Sequence, residues 1–401
     1  MKIRSLAFVV SSAAALAGAA GVRDIYINVD FCDEVRWNWN RTGRGYTAET
    51  VTNLLRRCRE SGATGINLRS APLGIVFHPS KRAWHIDEAL EKGVHSPSVV
   101  ARLTESNAFG RIAQKTIDSF SATMKTLPDA VAEFAAVAKH EGLKFNIWVD
   151  IHDEMFGKFT TEHPECLVRT ADGRTFPALR DYGNEMAVQD KLAELEEYFK
   201  YRPDGFYFCP SCHTRHMKID EPDGAFGTLP AAKFTDFLRR AKDSFRPHGF
   251  TLTVGTACGG VLNFCSPHFS THVKYRIEHD WKRWIDEKIV DALVVADYER
   301  LHEFDGIWTS KGIRKDGSGR LPIDYCLREF PTYAKGRVKL YYFSTWLTGP
   351  TMENTLRRGT YDVLAYGLDG MFIHEAMMIE GLPGGFEAVA RMRARFDDAN
   401  R

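Results

Sequence analysis

FTTEHPECLVRTADGRTFPALRDYGNEMAVQDKLAELEEYFKYRPDGFYFCPSCH, residues 159–213, is the stretch on which the fold turns. From Asn184 to Lys200 apolar residues recur three and four apart (Met186, Leu192, Leu195, Tyr198, Phe199) with charges between them, the pattern of an amphipathic helix. Asn184, after a glycine, suits its N-cap, and Pro203 stops its continuation. Gly205-Phe206-Tyr207-Phe208-Cys209 follows, too short for a helix and rich in aromatics, as in a strand buried on both faces. A strand preceded by its covering helix is one unit of a parallel sheet. The polar residues beyond it (Ser211, His213, Arg215, His216) then fall at the carboxyl end of the strand.

The unit recurs along the chain. Strands are expected at Asp24–Phe31, Thr64–Arg69, Lys144–Ile151, Gly205–Cys209, Thr251–Thr256, Val290–Ala296, Val338–Phe343 and Gly370–Ile373. Helices are expected at Thr47–Ser61, Pro128–Glu141, Asn184–Lys200, Ala231–Ser244, Lys274–Lys288 and Met352–Gly367, with a last one from Phe386. The segment from Ser70 to Leu127, with His78, His85 and His95, shows no clear strand. An insertion of that length is functional or carries short helices of its own. Eight apolar strands alternating with helices predict an α/β fold, a (β/α)8 TIM barrel with a long insertion after strand two. The alternative is an open doubly wound sheet, which the lack of a glycine-rich phosphate loop after strand one disfavours.

Residues 1–20 stand apart. Lys2 and Arg4 precede an apolar run from Leu6, and Ala17-Gly18-Ala19 suits signal peptidase. This reads as a secretory signal, so the mature protein is expected to be secreted or periplasmic, with residues 21–401 forming a single barrel domain. No later stretch is long and apolar enough to span a membrane. A net charge of +1 gives no basic excess for a nucleic-acid partner, and 12% aromatic residues suit both a large core and sugar binding. The eight cysteines are irregularly spaced. Cys58 reads as a buried thiol on a helix face, while Cys209 with Cys212, or Cys258 with Cys265, are candidates for disulfides.

Several motifs then carry a resemblance. Phe159–Glu165 (FxxEHPE), the turn ADGR at 171–174, DYGN at 181–184 before a helix, and DGFYF at 204–208 are similar to the secreted glycosyl-hydrolase-like TIM barrels of the family 10-like glycosyl hydrolase group. So are His279–Tyr298 (HDWKRWIDEKIVDALVVADY) and the Trp148–Asp150 strand end. The matches run from Asp24 to Glu380, and they imply a barrel acting on glycosidic bonds of polysaccharides or glycans. The chain departs from the group at the end of strand four, where members commonly carry an acid and this chain has Cys209-Pro210. It departs again after strand six, with Asp297 in place of an amide or aromatic.

The chemistry is sought at the carboxyl ends of the strands, where sites of this fold lie. Glycoside hydrolysis needs one protonated carboxyl and one acting as nucleophile or base. Strand ends supply Asp30, Asp150, Asp153, Glu154, Asp297, Glu299 and Glu375, and none comes from strands two, four, five or seven. Asp297 and Glu375 follow purely apolar strands and form the preferred catalytic pair, with Glu375 as the acid. Asp153 and Asp150 come next. Asp30 is read as a sugar-binding or structural carboxylate and Arg69 as its neighbour in the cleft. His152, His213 and His374 are candidates to bond sugar hydroxyls, and Trp148, Tyr298 and Trp346 to stack on a pyranose face; packing roles are the competing explanation for each. No cofactor or metal is expected. The cysteines and His213 around Cys209 leave zinc as a rival, which would make the protein a metal-dependent hydrolase of another bond. A carbohydrate-binding barrel without turnover is the other rival.

Overall fold

The computed structural model describes residues 23–92, 109–151, 154, 157–169, 173, 175–209, 228–256, 264–265, 276–295, 323–344 and 351–400. The signal-like start lies outside them. Eight parallel strands close into a barrel: β1 (Asp24–Asp30), β2 (Gly65–Arg69), β3 (Lys144–Asp150), β4 (Gly205–Cys209), β5 (Thr251–Thr256), β6 (Ala292–Val295), β7 (Lys339–Ser344) and β8 (Gly370–His374). Each pairs with its neighbours in the chain, and β8 returns to β1 in the register Asp24↔Gly370 to Asn28↔His374. All eight expected strands are present, with ends shifted by a residue or two. No helix of the described residues is long and apolar enough to cross a membrane.

Most strand residues are apolar on both faces because both faces are covered. Ile25, Ile27 and Val29 face outward beneath the helices, whereas Tyr26, Trp148, Tyr207, Val294, Tyr341 and Phe372 fill the barrel interior. Polar side chains that enter this interior find each other. The Asn67 amide donates to Asn28 Oδ1 at 2.7 Å, and the Asn146 amide donates to Asn67 Oδ1 at 3.0 Å.

The N-terminal end is fastened by one device used four times. The residue before each even-numbered strand (Thr64, Asp204, Asp291, Asp369) accepts on its side-chain oxygen the N–H of the second residue of the preceding odd strand. The bonds are Ile25 to Thr64 at 2.9 Å, Phe145 to Asp204 at 2.8 Å, Leu252 to Asp291 at 2.7 Å and Leu340 to Asp369 at 2.8 Å. The backbone carbonyls of the same four residues accept from the first residue of the next odd strand: Lys144, Thr251, Lys339 and, closing the ring, Asp24. Small residues (Gly65, Gly205, Ala292, Gly370) begin the even strands. At Gly370 the reason is steric, since a Cβ there would meet the Asp24 carbonyl oxygen at 2.0 Å.

Several expectations need correction. The helix expected at Lys274–Lys288 is a short strand, Arg276–Glu278, followed by a helix of Trp281–Asp286 only. Asp280 starts that helix by accepting the Arg283 N–H. Strand one stops at Asp30 rather than Phe31, and a helix unforeseen from the pattern, Phe31–Thr42, begins at once. The insertion after β2 carries helices at Ile86–Glu91 and Phe109–Thr126. Within the quoted stretch, Leu167–Arg169 and Thr175–Arg180 pair as antiparallel strands. The helix after it spans Glu185–Glu196, capped by Asn184 as expected.

Candidate active site

β1 runs straight into a helix because Asp30 ends one and caps the other, its Oδ1 accepting the Cys32 N–H at 3.2 Å. With no loop between them, the first helical turn brings Asp33 and Glu34 to the C-terminal mouth of the barrel. β8 ends in the same way: His374 is its last residue, and Glu375 stands at the cap position of the helix Ala376–Glu380. Because β1 and β8 are neighbours, the two strand ends converge. Asp30, Asp33 and Glu375 each place a carboxylate oxygen within 4.8 Å of the others.

Arg69, at the end of β2, is the cation set into this group. Its Nη1 donates to Asp30 Oδ2 at 2.5 Å, and its Nη2 lies 3.6 Å from Asp150 Oδ2 at the end of β3. All three side chains are buried. The guanidinium sits 5.6 Å from the centre of the Trp148 ring, which in turn lies 5.9 Å from the His374 ring. Trp148 is only 2% exposed and forms the floor of the site. His374 Nε2 is 3.6 Å from Glu375 Oε1. Asp33 remains partly open to solvent and pairs with Arg36 at 3.2 Å.

The electrostatics follow from counting charges. Four carboxyls (Asp30, Asp33, Glu34, Glu375) crowd the β1–β8 corner, with Arg69 and Arg36 as the guanidinium partners there. Burial pushes the Glu375 carboxyl well above the usual carboxylate range; the charges of Asp33, Asp30 and Glu34 add to this and Arg69 opposes it. Glu34 is raised in the same way, by burial first and then by Glu380, Asp33 and Asp30. A carboxyl pushed toward protonation among other acids is the kind of arrangement a proton donor and its partner use. Asp30, Asp33 and Glu375 are also the one group of three among the described residues placed to share a metal ion. Their donors are all oxygen, which suits calcium or magnesium rather than zinc.

Thus Asp30, Arg69, Trp148, Asp150, His374 and Glu375, all chosen from the sequence, come together. Asp297, Asp153, His152, His213, Tyr298 and Trp346 lie outside the described residues, as do Cys212 and Cys258. Cys209 is in register with Asp150 and fully buried. Asp33 and Glu34 were not among the chosen residues. Their signal was present, since Asp33 and Glu34 stand just beyond a strand that ends in an acid, with Phe31 and Cys32 between, but it has force only once the helix is known to start there.

Glu154, just beyond β3, serves a different purpose. Buried Arg180 Nε donates to its Oε2 at 2.8 Å, and buried Lys191 Nζ donates to its Oε1 at 3.0 Å. Arg180 also pairs with Asp190 at 3.1 Å, and Lys191 with Glu194 at 2.8 Å. This network fastens the hairpin and helix of the quoted stretch to the end of β3. Although burial pushes Glu154 up, the two cations hold it below its ordinary value.

No protein-family model matches this sequence, and no curated protein does. Solved structures do match in fold. The endo-1,4-β-mannanase from Rhizomucor miehei superposes with a TM-score of 0.51 at 8% identity, over 88% of this chain and 86% of that one. The glycoside hydrolase domain of PgaB (BpsB) from Bordetella bronchiseptica gives 0.50 at 12%, over 92% and 98%. A maltogenic α-amylase, AmyB, from Thermotoga neapolitana gives 0.50 at 11%, over 93% and 76%. At such identities the likeness establishes the barrel, one of the kind on which glycoside hydrolases are built. Fold alone does not fix the reaction.

Proposed function

We propose that this chain is an exported glycoside hydrolase, cleaving a polysaccharide or glycan with carboxyl groups at the C-terminal face of the barrel and Glu375 as the proton donor. The observation that carries the reading is the state of Glu375: buried, pushed toward protonation, and adjacent to Asp30 and Asp33 at the strand ends where barrel chemistry takes place. The motifs shared with the family 10-like group support the substrate class, and the apolar, Ala-rich start supports export. The second carboxylate is Asp297, expected at the end of β6. Asp30 is held by Arg69, which leaves Asp33 as the described alternative.

Stereochemistry separates the two partners. Asp33 lies close enough to Glu375 for the ~5–5.5 Å spacing of a retaining enzyme. For a partner expected after β6, which is not a neighbour of β8, the expectation is the wider ~6.5–9.5 Å gap of an inverting enzyme. The test is sugar release from a broad polysaccharide and oligosaccharide panel, with the product anomer followed by NMR. The parent should release sugar, Glu375→Gln should lose it, and inversion together with loss in Asp297→Asn should identify the pair. Retention together with loss in Asp33→Asn would reassign the partner. Full activity in Glu375→Gln would sink the reading. Sugar binding without any turnover would favour a binding barrel, an outcome to which Cys209, in place of the resembled group's acid, lends weight.

A further inference from the structure

The acid corner at the C-terminal mouth holds polar groups that its own side chains leave unsatisfied. Glu375 Oε2 and Trp148 Nε1 are buried there, and among the described residues neither has a hydrogen-bond partner. One is a carboxyl oxygen and the other an N–H donor. Buried groups of both kinds cost stability until something in the site meets them. The charges among the described residues are also uneven. Arg69 serves both Asp30 and Asp150, and Arg36 pairs with Asp33. Even with Glu34 and Glu375 protonated, these two guanidiniums face three carboxylates.

Asp33 is where a ligand meets this charge. Its side chain is 32% exposed, against 5% for Asp30 and 4% for Glu375. A carboxyl oxygen of each lies within 4.8 Å of one on Asp33, so a cation at Asp33 is also drawn by Asp30, and by Glu375 when it ionises. A bare metal ion would satisfy the oxygens and leave the indole N–H with nothing to donate to. A neutral sugar would satisfy the N–H and leave the charge. A sugar that carries an ammonium group supplies both an acceptor oxygen and the positive charge, and its uncharged analogue is rejected because it leaves a polar group unpaired.

We propose that the glycan taken at this site bears a free, protonated amino group, as in a glucosamine oligomer, with the ammonium at Asp33 and a ring hydroxyl accepting from Trp148. The choice of a glycan rests on the glycoside hydrolase reading; the preference for positive charge comes from the corner itself.

The experiment compares chitosan tetraose, which carries free amines, with chitin tetraose, its fully N-acetylated counterpart of the same linkage. Binding is followed by calorimetry and sugar release by chromatography, in slightly acidic buffer of low ionic strength where the amines are protonated. Both are repeated on Asp33→Asn and Arg36→Gln, each checked by thermal melting. The parent should bind the amine form about tenfold more tightly than the acetylated one, and added salt should erase the difference. Asp33→Asn should remove the preference. Arg36→Gln, which takes a competing cation off Asp33, should widen it. Equal or tighter binding of the acetylated form, silence of both, or a preference that survives in Asp33→Asn overturns the proposal. Amine-form binding without sugar release would uphold it and sink the glycosidase reading. Sugar release from the acetylated form alone would do the reverse.

Discussion

At the N-terminal end of the barrel, Asp204, Asp291 and Asp369 each hold a strand N–H, and Asp24 is shared by two lysines and the Tyr341 hydroxyl. At the C-terminal end, Asp30, Asp33, Glu34 and Glu375 gather around two guanidiniums, and Glu375 Oε2 is buried with no hydrogen-bond partner among the described residues. The same residue type thus stabilises one end and strains the other. Asp24 illustrates the first case: burial alone would raise its carboxyl, yet Lys339, Lys144 and Tyr341 hold it below the usual value. Glu375 illustrates the second, raised by burial with a single cation opposing. A buried carboxyl that is under-compensated is what proton transfer calls for, and it is supported by a lower ring whose carboxyls are all engaged.

The largest expected effect comes from exchanging acid for amide at the strained end. Glu375→Gln should cut sugar release by about 10²–10⁴-fold, the usual share of a proton donor. The same change should raise the melting temperature at neutral pH, because the amide carries no charge to desolvate. The sign also fixes the pH dependence. With its folded pKa raised, Glu375 favours the native state below the ordinary glutamate value and loses that contribution as pH rises through the folded pKa. Activity should fall along the same alkaline limb, and the limb should be missing from any residual activity of Glu375→Gln. A variant that is inactive but destabilised would place Glu375 among structural carboxyls instead.

Next comes the cation that keeps the strained end together. Arg69→Met leaves Asp30 and Asp150 buried without their partner and should cost about 3–5 kcal/mol in chemical denaturation. Arg180→Met, which takes away one of the two cations on Glu154 and leaves Lys191, should cost less. Losses below about 1 kcal/mol at both would show that water reaches these carboxylates and that the corner is less strained than its burial implies.

The two ends also differed in how well the sequence announced them. The barrel was readable because its strands are short apolar runs with glycine or an acid at their edges, and DGFYF or GMFI has no other reasonable conformation. Glu375 and Asp30 could be picked out because each directly follows such a run. Asp33 and Glu34 were passed over because a helix that starts without a loop shows no turn signal; only the capping by Asp30 reveals it. The Glu154–Arg180–Lys191 network was equally hidden, since its members are 26 and 37 residues apart and meet only after the hairpin folds. At the lower end the D-G and D-A pairs at 204–205, 369–370 and 291–292 were in plain view. Their meaning depends on register, which a single sequence does not display.

That lower ring yields the smallest effects and the most stringent comparison. Asp204→Ala and Asp369→Ala each leave one buried strand N–H without its acceptor and should cost about 1–3 kcal/mol by urea denaturation. Thr64→Val, losing the two neutral bonds of its hydroxyl with the Ile25 backbone, should sit near about 1 kcal/mol. Asp291→Ala should exceed its counterparts, because it also deprives Lys242 of the carboxylate it meets at 2.5 Å. None of the four should change sugar release, since all lie at the end opposite the carboxyl corner. If instead Thr64→Val proves silent while the three aspartates each cost several kcal/mol, the ring works through charge rather than through its shared bonding pattern. The fourfold device would then reduce to three ion-assisted contacts and a threonine of convenient shape.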